Sequence, residues 1–129
     1  MSDRKTSPIR FLPSIKDYLR ICLKTEDPDL SNYLIKTLSN LTLDEQCRYQ
    51  IINLRGVEVL VKFLEMGDSS PELQRSCAKG LLNLSISSRE VKAKVLGLMN
   101  GVLDRYYKGK IDQIAGSYIE NILKAPKNK

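Results

Sequence analysis

The sequence contains no histidine and no tryptophan. Histidine is the commonest general base and metal ligand near neutral pH, so its absence argues against acid–base catalysis and against a metal site. The seven glycines are scattered along the chain and form no loop of the kind that cradles a phosphate group. Paired carboxylates at residues 27–29 and 44–45 stand at predicted helix starts, where capping explains them. We therefore predict a protein that is not an enzyme, with no cofactor, no metal and no small-molecule substrate.

Cysteine and long apolar runs are also scarce. The three cysteines are Cys22, Cys47 and Cys77, and an odd, widely spaced set suits neither a disulfide framework nor a zinc site. We predict that they are buried small side chains in a reducing compartment. No apolar run approaches the roughly 18 residues of a membrane span, and no apolar stretch resembling a signal peptide precedes residue 13. The expected location is the cytoplasm, the nucleus or both, without membrane association.

The net charge of +6 is concentrated at the two ends of the chain. Residues 1–12 carry +2 and residues 124–129 carry +3, which leaves +1 for residues 13–123. Because the excess of positive charge lies in the tails, it supports a nucleic-acid-binding surface only weakly. Contact with nucleic acid through these basic tails is one alternative for the function.

The chain contains an internal repeat with a period of 43 residues. Residues 27–42 align with residues 70–85, so that proline matches proline and Asn40-Leu-Thr matches Asn83-Leu-Ser. A third and poorer copy follows 38 residues after the second and places Asn121 at the same position. Repeats of this length are typical of helical solenoids.

Each copy is predicted to contain a helix of about four turns, and the full period is predicted to be a short helix, a glycine turn, a middle helix, a polar loop and a long helix. Asp27 and Ser70 are predicted N-caps, and each precedes a proline, which is favourable at the first helical position. A short helix is predicted at 44–53, and an amphipathic middle helix lies between Gly56 and Gly67. The apolar stripe of that middle helix is formed by Val57, Leu60, Val61 and Leu64. Apolar and polar residues do not alternate with the two-residue period of a strand over more than a few residues. The predicted fold class is therefore all-α.

These residues resemble an armadillo repeat. That family has an isoleucine-rich first helix, a glycine, a Leu-Val-x-x-Leu second helix and a third helix that ends Ala-x-x-Ala-Leu-x-Asn-Leu-Ser. Residues 51–64 are similar to the first part and residues 73–85 to the second. The HEAT repeat is the alternative because its period overlaps, but the Asn-Leu-Ser ending favours armadillo.

The resemblance implies a right-handed α-solenoid of about three repeats over residues 14–124. The expected units are an N-terminal tail or cap at 1–13, repeats at about 14–43, 44–86 and 87–124, and a basic C-terminal tail at 125–129. The first copy lacks its first helix. In the third copy the glycine is displaced to Gly97 or Gly101.

In an armadillo solenoid the third helices line the inner wall, along which extended ligands lie. We therefore predict a partner-binding row of nine residues, one set from each copy: Tyr33, Lys36, Asn40, Arg75, Ser76, Lys79, Asn83, Ser117 and Asn121. By resemblance, the asparagine of each set matches the position whose amide binds the main chain of a peptide ligand. The tryptophans of the nuclear-import receptors are absent, and the cations favour an acidic or phosphorylated partner segment.

The predicted function is thus a protein–protein interaction module, a scaffold or adapter. One alternative is a structural subunit embedded in a larger multiprotein or ribonucleoprotein assembly, because three repeats expose apolar solenoid ends unless these are capped. The role of the polar row also has alternative interpretations. Its cations can simply be solvated, and its asparagines can bond across neighbouring repeats instead of binding a ligand.

Overall fold

In a computed structural model, residues 14–66 and 69–124 form eight α-helices and no strand. The helices are α1 (Ile15–Lys24), α2 (Pro28–Leu41), α3 (Glu45–Asn53), α4 (Gly56–Glu65), α5 (Pro71–Ser85), α6 (Arg89–Leu98), α7 (Asn100–Tyr107) and α8 (Gln113–Lys124). The predicted all-α class is confirmed. The predicted N-terminal tail or cap, the stop at Gly67 and the basic C-terminal tail lie outside the described residues. Of the helices described, none has both the length and the apolar character needed to cross a membrane.

The two longest helices begin with the predicted caps. The Asp27 carboxylate accepts a hydrogen bond from the Asp29 N–H at 3.0 Å, and the Ser70 hydroxyl accepts one from the Leu73 N–H at 3.1 Å. A proline occupies the first turn of each helix. Caps of this kind each stabilise a helix by about 1 kcal/mol, so both helix starts follow from local sequence.

The turn from α3 into α4 requires a glycine at position 56, the first residue of α4. A Cβ atom on Gly56 would lie 2.2 Å from Ile51 Cγ2 and 2.8 Å from the Ile51 carbonyl oxygen. The preceding residue, Arg55, has a left-handed backbone with φ of 70°. The sharp turn brings the end of α3 against the start of α4 and buries Ile51 completely.

The three long helices lie side by side. Helix α5 packs against α2 on one side and against α8 on the other, and α4 packs beneath it. The predicted close approach at Gly80 is confirmed, because a Cβ atom there would lie 3.4 Å from Ser39 Cα of α2. One continuous core runs beneath these helices and joins all three copies of the repeat. Its fully buried side chains include Leu38, Leu60, Leu64, Leu81, Leu84, Val95, Met99, Ile119 and Ile122.

The third copy contains three helices, α6 to α8. The break between α6 and α7 falls at Met99, between the two candidate glycines. Met99 is completely buried. Gly97 has open space around it, whereas Gly101 lies against the Glu65 side chain of α4.

Candidate partner-binding surface

The predicted row lies on one surface built by the three long helices, here called the long-helix face. It comprises the nine predicted residues on α2, α5 and α8. The structure brings five of them together around a shallow cleft of about 140 Å³ between these helices. The lining side chains are Lys36, Ser39, Asn40, Arg75, Ser76, Lys79 and Tyr118. No carboxylate is part of this lining.

The other four predicted residues lie outside the cleft. Ser117 and Asn121 are exposed on α8, and Asn83 is half-buried near the end of α5. Tyr33 of α2 is 62% exposed and does not line the cleft. The predicted row is therefore not a single uniform groove, and its cationic part is concentrated where α2 and α5 meet.

Arg75 is neutralised by a carboxylate that sequence reasoning did not identify. Its Nε donates to Asp112 Oδ2 at 2.8 Å, and its Nη2 donates to Asp112 Oδ1 at 3.1 Å. Asp112 Oδ2 also accepts hydrogen bonds from the N–H groups of Ile114 and Ala115 at the start of α8. Hydrogen bonds from Arg75 and then from the α8 backbone hold the pKa of Asp112 below its ordinary value. Arg75 thus ties α5 to α8 and is not an unpaired cation.

Lys36 forms a weaker ion pair, with Glu72. Its Nζ lies 3.8 Å from Glu72 Oε2, and the Asn32 amide donates to the other oxygen of that carboxylate at 3.2 Å. The Lys36 and Glu72 side chains are 62% and 58% exposed. Exposed pairs of this kind contribute between nothing and about 1 kcal/mol, so an anionic ligand can compete with Glu72 for the ammonium group.

Lys79 is the third cation of the cleft. In residues 14–66 and 69–124, no carboxylate oxygen lies within 4.0 Å of its ammonium group. It occupies the position on α5 that Lys36 occupies on α2, 43 residues earlier. The cleft therefore contains two available ammonium groups. That of Lys79 has no carboxylate partner among the described residues, and that of Lys36 is weakly paired with Glu72.

The three asparagines of the row differ in their surroundings. Asn83 Nδ2 donates to the hydroxyl of Thr42, at the end of α2, at 3.0 Å. That bond connects neighbouring copies of the repeat, which is the alternative that the sequence left open. Asn40 and Asn121 are exposed. Their amides can each offer a donor and an acceptor to the main chain of a ligand.

One aromatic side chain lines the cleft with the cations, and one aliphatic side chain is exposed elsewhere on α8. Tyr118 of α8 is half-buried and lines the cleft, although the sequence pattern did not single it out as a binding residue. Ile114 of α8 is 49% exposed at the position equivalent to Ser76. Apolar and aromatic groups beside fixed charges are typical of protein-binding surfaces.

A larger cleft of about 800 Å³ lies away from this face, between α3 and α6. Its lining includes Tyr49 and Ile52 of α3 and Val91 of α6, together with Glu45 and Glu90. The sequence pattern did not predict it, because it depends on how far apart two short helices lie. None of the nine predicted residues lines it.

No group of three or more histidine, cysteine or acidic side chains in residues 14–66 and 69–124 could hold a metal ion. All three cysteines are free; Cys22 and Cys77 are buried as predicted, whereas Cys47 is half-buried. Burial raises the pKa of Cys22 to about 11 and raises that of Cys77 as well. A thiol with a raised pKa is a poor nucleophile near neutral pH.

Comparison with protein-family models, with curated proteins and with solved structures gave no significant match. The armadillo resemblance therefore stays a proposal, which depends on the 43-residue period and on the packing of the long helices.

Proposed function

We propose that the chain is an armadillo-type α-solenoid of three repeats that binds an acidic or phosphorylated segment of another protein across the long-helix face. The solenoid arrangement is supported by the 43-residue period and by the packing of α5 between α2 and α8. In the second and third copies, the equivalent residues Leu84 and Ile122 are both fully buried. Each of these features is expected when similar helical units stack on one another.

One observation carries the proposed function: Lys36 and Lys79 line the same cleft from equivalent positions on neighbouring helices. Packed helices lie about 8–10 Å apart, and an extended chain advances about 3.3 Å per residue. Acidic or phosphorylated side chains about three residues apart in an extended ligand would therefore meet both ammonium groups. The exposed amide of Asn40 lies in the same cleft and could bind the ligand backbone.

The charge of the cleft favours an anionic ligand over a basic one. Three cations and no carboxylate line it. Because Arg75 is bound to Asp112, the attraction would come chiefly from the two lysines. Charge complementarity of this kind determines which partners bind and how fast they associate, and it weakens as salt concentration rises.

A peptide library tests this proposal. The full chain would be applied to sets of extended peptides that differ only at one site, which carries phosphoserine, glutamate or serine. We expect stronger capture by the phosphoserine and glutamate versions than by the serine version, and a decrease of this preference with added salt. Equal capture of all three versions would overturn the proposed ligand class.

A structural subunit within a larger assembly is the second candidate. The observation that favours it is the uncovered apolar character of one side of α2, where Leu30 and Tyr33 are exposed. A free solenoid normally presents a polar outer surface at its terminal repeats. If this candidate is correct, the isolated chain should self-associate on size-exclusion chromatography, whereas the interaction module should elute as a monomer.

A further inference from the structure

The cleft of about 800 Å³ between α3 and α6, here called the α3/α6 cleft, is a gap between the first helices of the second and third copies. The long helices of these copies, α5 and α8, pack against each other, whereas α3 and α6 are not closely packed. The α3 wall of the cleft runs from Glu45 to Asn53, which is about 12 Å at 1.5 Å per helical residue. The opposite wall is the first turn of α6 and the two serines before it. A cleft of this volume is in the range of sites that hold ligands.

Apolar and aromatic side chains line part of the α3/α6 cleft. Ile52 and Val91 are half-buried and pack against the hydrophobic core, so they form the inner part of the lining. Tyr49 also lines the cleft and is 69% exposed. Tyrosine is among the residues that contribute most to protein–protein binding. The cleft therefore offers an apolar contact surface to a side chain of a partner.

A carboxylate stands on each wall of the α3/α6 cleft. Glu45 belongs to α3 and Glu90 belongs to α6, and both side chains are exposed. Within residues 14–66 and 69–124, no nitrogen of a lysine or arginine side chain lies within 4.0 Å of either carboxylate. The two negative charges are therefore available to the cations of a ligand.

Arg48 is the one cation among the described residues that line the α3/α6 cleft. Its Nη1 donates to the Thr42 carbonyl oxygen at 2.9 Å. The N–H of Cys47 and, to a smaller extent, the Arg48 guanidinium hold the pKa of Asp44 below its ordinary value, so this carboxylate balances part of the Arg48 charge. None of the three cations of α6 is among the lining residues. The charge that the cleft presents to a ligand is therefore chiefly negative.

We propose that the α3/α6 cleft binds a basic segment of a partner protein, in which an aliphatic or aromatic side chain lies beside lysine or arginine residues. The apolar side chain contacts Tyr49, Ile52 and Val91. The cations of the segment meet Glu45 and Glu90, one on each wall. Glutamine and asparagine amides of α3 also line the cleft, and they offer donors and acceptors to the backbone of the segment.

This ligand preference is opposite to the one proposed for the long-helix face. None of the nine residues of that face lines the α3/α6 cleft, so the two surfaces bind different segments. The chain is thus able to hold an acidic and a basic segment at the same time, as an adapter does. Binding of a basic segment in the cleft does not require the long-helix face to bind an acidic one.

Selection from a display library of random short peptides tests this ligand class. The full chain is the bait, and the affinity of each enriched peptide is measured by fluorescence polarisation. We expect one enriched group of peptides that carry lysine or arginine beside an aliphatic or aromatic residue. Absence of such a group would overturn the proposal.

Charge reversal then locates the site at which these basic peptides bind. We expect Glu45→Lys/Glu90→Lys to weaken their binding on the order of tenfold or more. The control Glu26→Lys/Asp104→Lys has the same change in net charge at exposed residues outside the cleft, and it should bind nearly as the wild type does. Equal affinities of the two folded double variants would also overturn the proposal.

Tyr49→Ser provides a second variant that keeps every charge and decides the question if the charge-reversed variant fails to fold. Because Tyr49 is 69% exposed, its loss should leave the fold intact, and we expect binding of the basic peptides to weaken about fivefold or more. Tyr107→Ser is the matched control, since Tyr107 is 72% exposed on α7 and does not line the cleft. Equal affinities of these two variants would contradict the proposal. Lys36→Glu/Lys79→Glu should not weaken binding of the basic peptides, so a failure of the cleft and a failure of the proposed function can be told apart.

Discussion

Arg75 of α5 and Asp112 at the start of α8 are joined by two hydrogen bonds, of 2.8 and 3.1 Å. The pair connects the second and third copies of the repeat, and Asp112 also binds two N–H groups at the start of α8. Asp112 therefore has two structural roles, in helix capping and in the contact between helices. It removes Arg75 from the set of cations that are available to a ligand.

Replacement of Asp112 by alanine should destabilise the protein more than a typical surface substitution. We expect a loss of about 1 kcal/mol or more, because the start of α8 loses its hydrogen-bond acceptor and Arg75 loses its partner. Asp104→Ala is the control, since the Asp104 carboxylate is exposed and, among the described residues, forms an ion pair with Lys108, the C-cap residue of α7. Urea denaturation of both variants measures the difference. Equal losses would show that Asp112 has no special role.

The stabilising effect of Asp112 should depend on pH. The pKa of this carboxyl in the folded protein lies below its ordinary value of 3.8, chiefly because of Arg75. The unfolded chain therefore binds the proton more tightly, and the stability due to Asp112 is present above pH 3.8 and is lost as pH falls through the folded pKa. The stability difference between the wild type and Asp112→Asn should shrink as the pH is lowered from 7 to 2.5. A constant difference across that range would contradict this linkage.

Two asparagines at equivalent positions should respond differently to the same substitution. Asn83→Ala removes the hydrogen bond to Thr42 and should cost about 1 kcal/mol. Asn40→Ala removes an exposed side chain and should change stability by less than about 0.5 kcal/mol. Thermal and urea denaturation measure both. A larger loss for Asn40→Ala would contradict the assignment of Asn83 to the contact between repeats.

Glycine-to-alanine substitutions should have opposite signs at two sites. At Gly56 the new Cβ would overlap Ile51, including its carbonyl oxygen, and we expect a loss of about 1–3 kcal/mol. At Gly97 the space is open, and alanine should stabilise α6 by up to about 1 kcal/mol because it restricts the unfolded chain. Denaturation curves of the two variants test this; a stabilising Gly56→Ala would exclude the tight turn between α3 and α4.

Local features were predictable from the sequence, whereas the pairing of charges was not. The caps at Asp27 and Ser70 and the close approach at Gly80 depend on neighbouring residues or on side-chain size alone. The partners of Arg75 and Lys36 depend on which carboxylate an adjacent helix brings within reach. Only the position of Asp112 directly before a helix could have signalled its capping role. The cleft between α3 and α6 follows from tertiary packing and left no signal in the periodicity.

Charge reversal at the two lysines of the cleft tests the proposed function most directly. The affinity of the full chain for a captured phosphopeptide would be measured for the wild type, for Lys36→Glu/Lys79→Glu and for Lys16→Glu/Lys62→Glu. The last variant has the same change in net charge on exposed residues of α1 and α4. We expect the first double variant to fold normally and to bind on the order of tenfold or more weakly, and the control to bind nearly as the wild type does. Equal affinities of the two folded double variants would contradict the proposal that the long-helix face binds the partner.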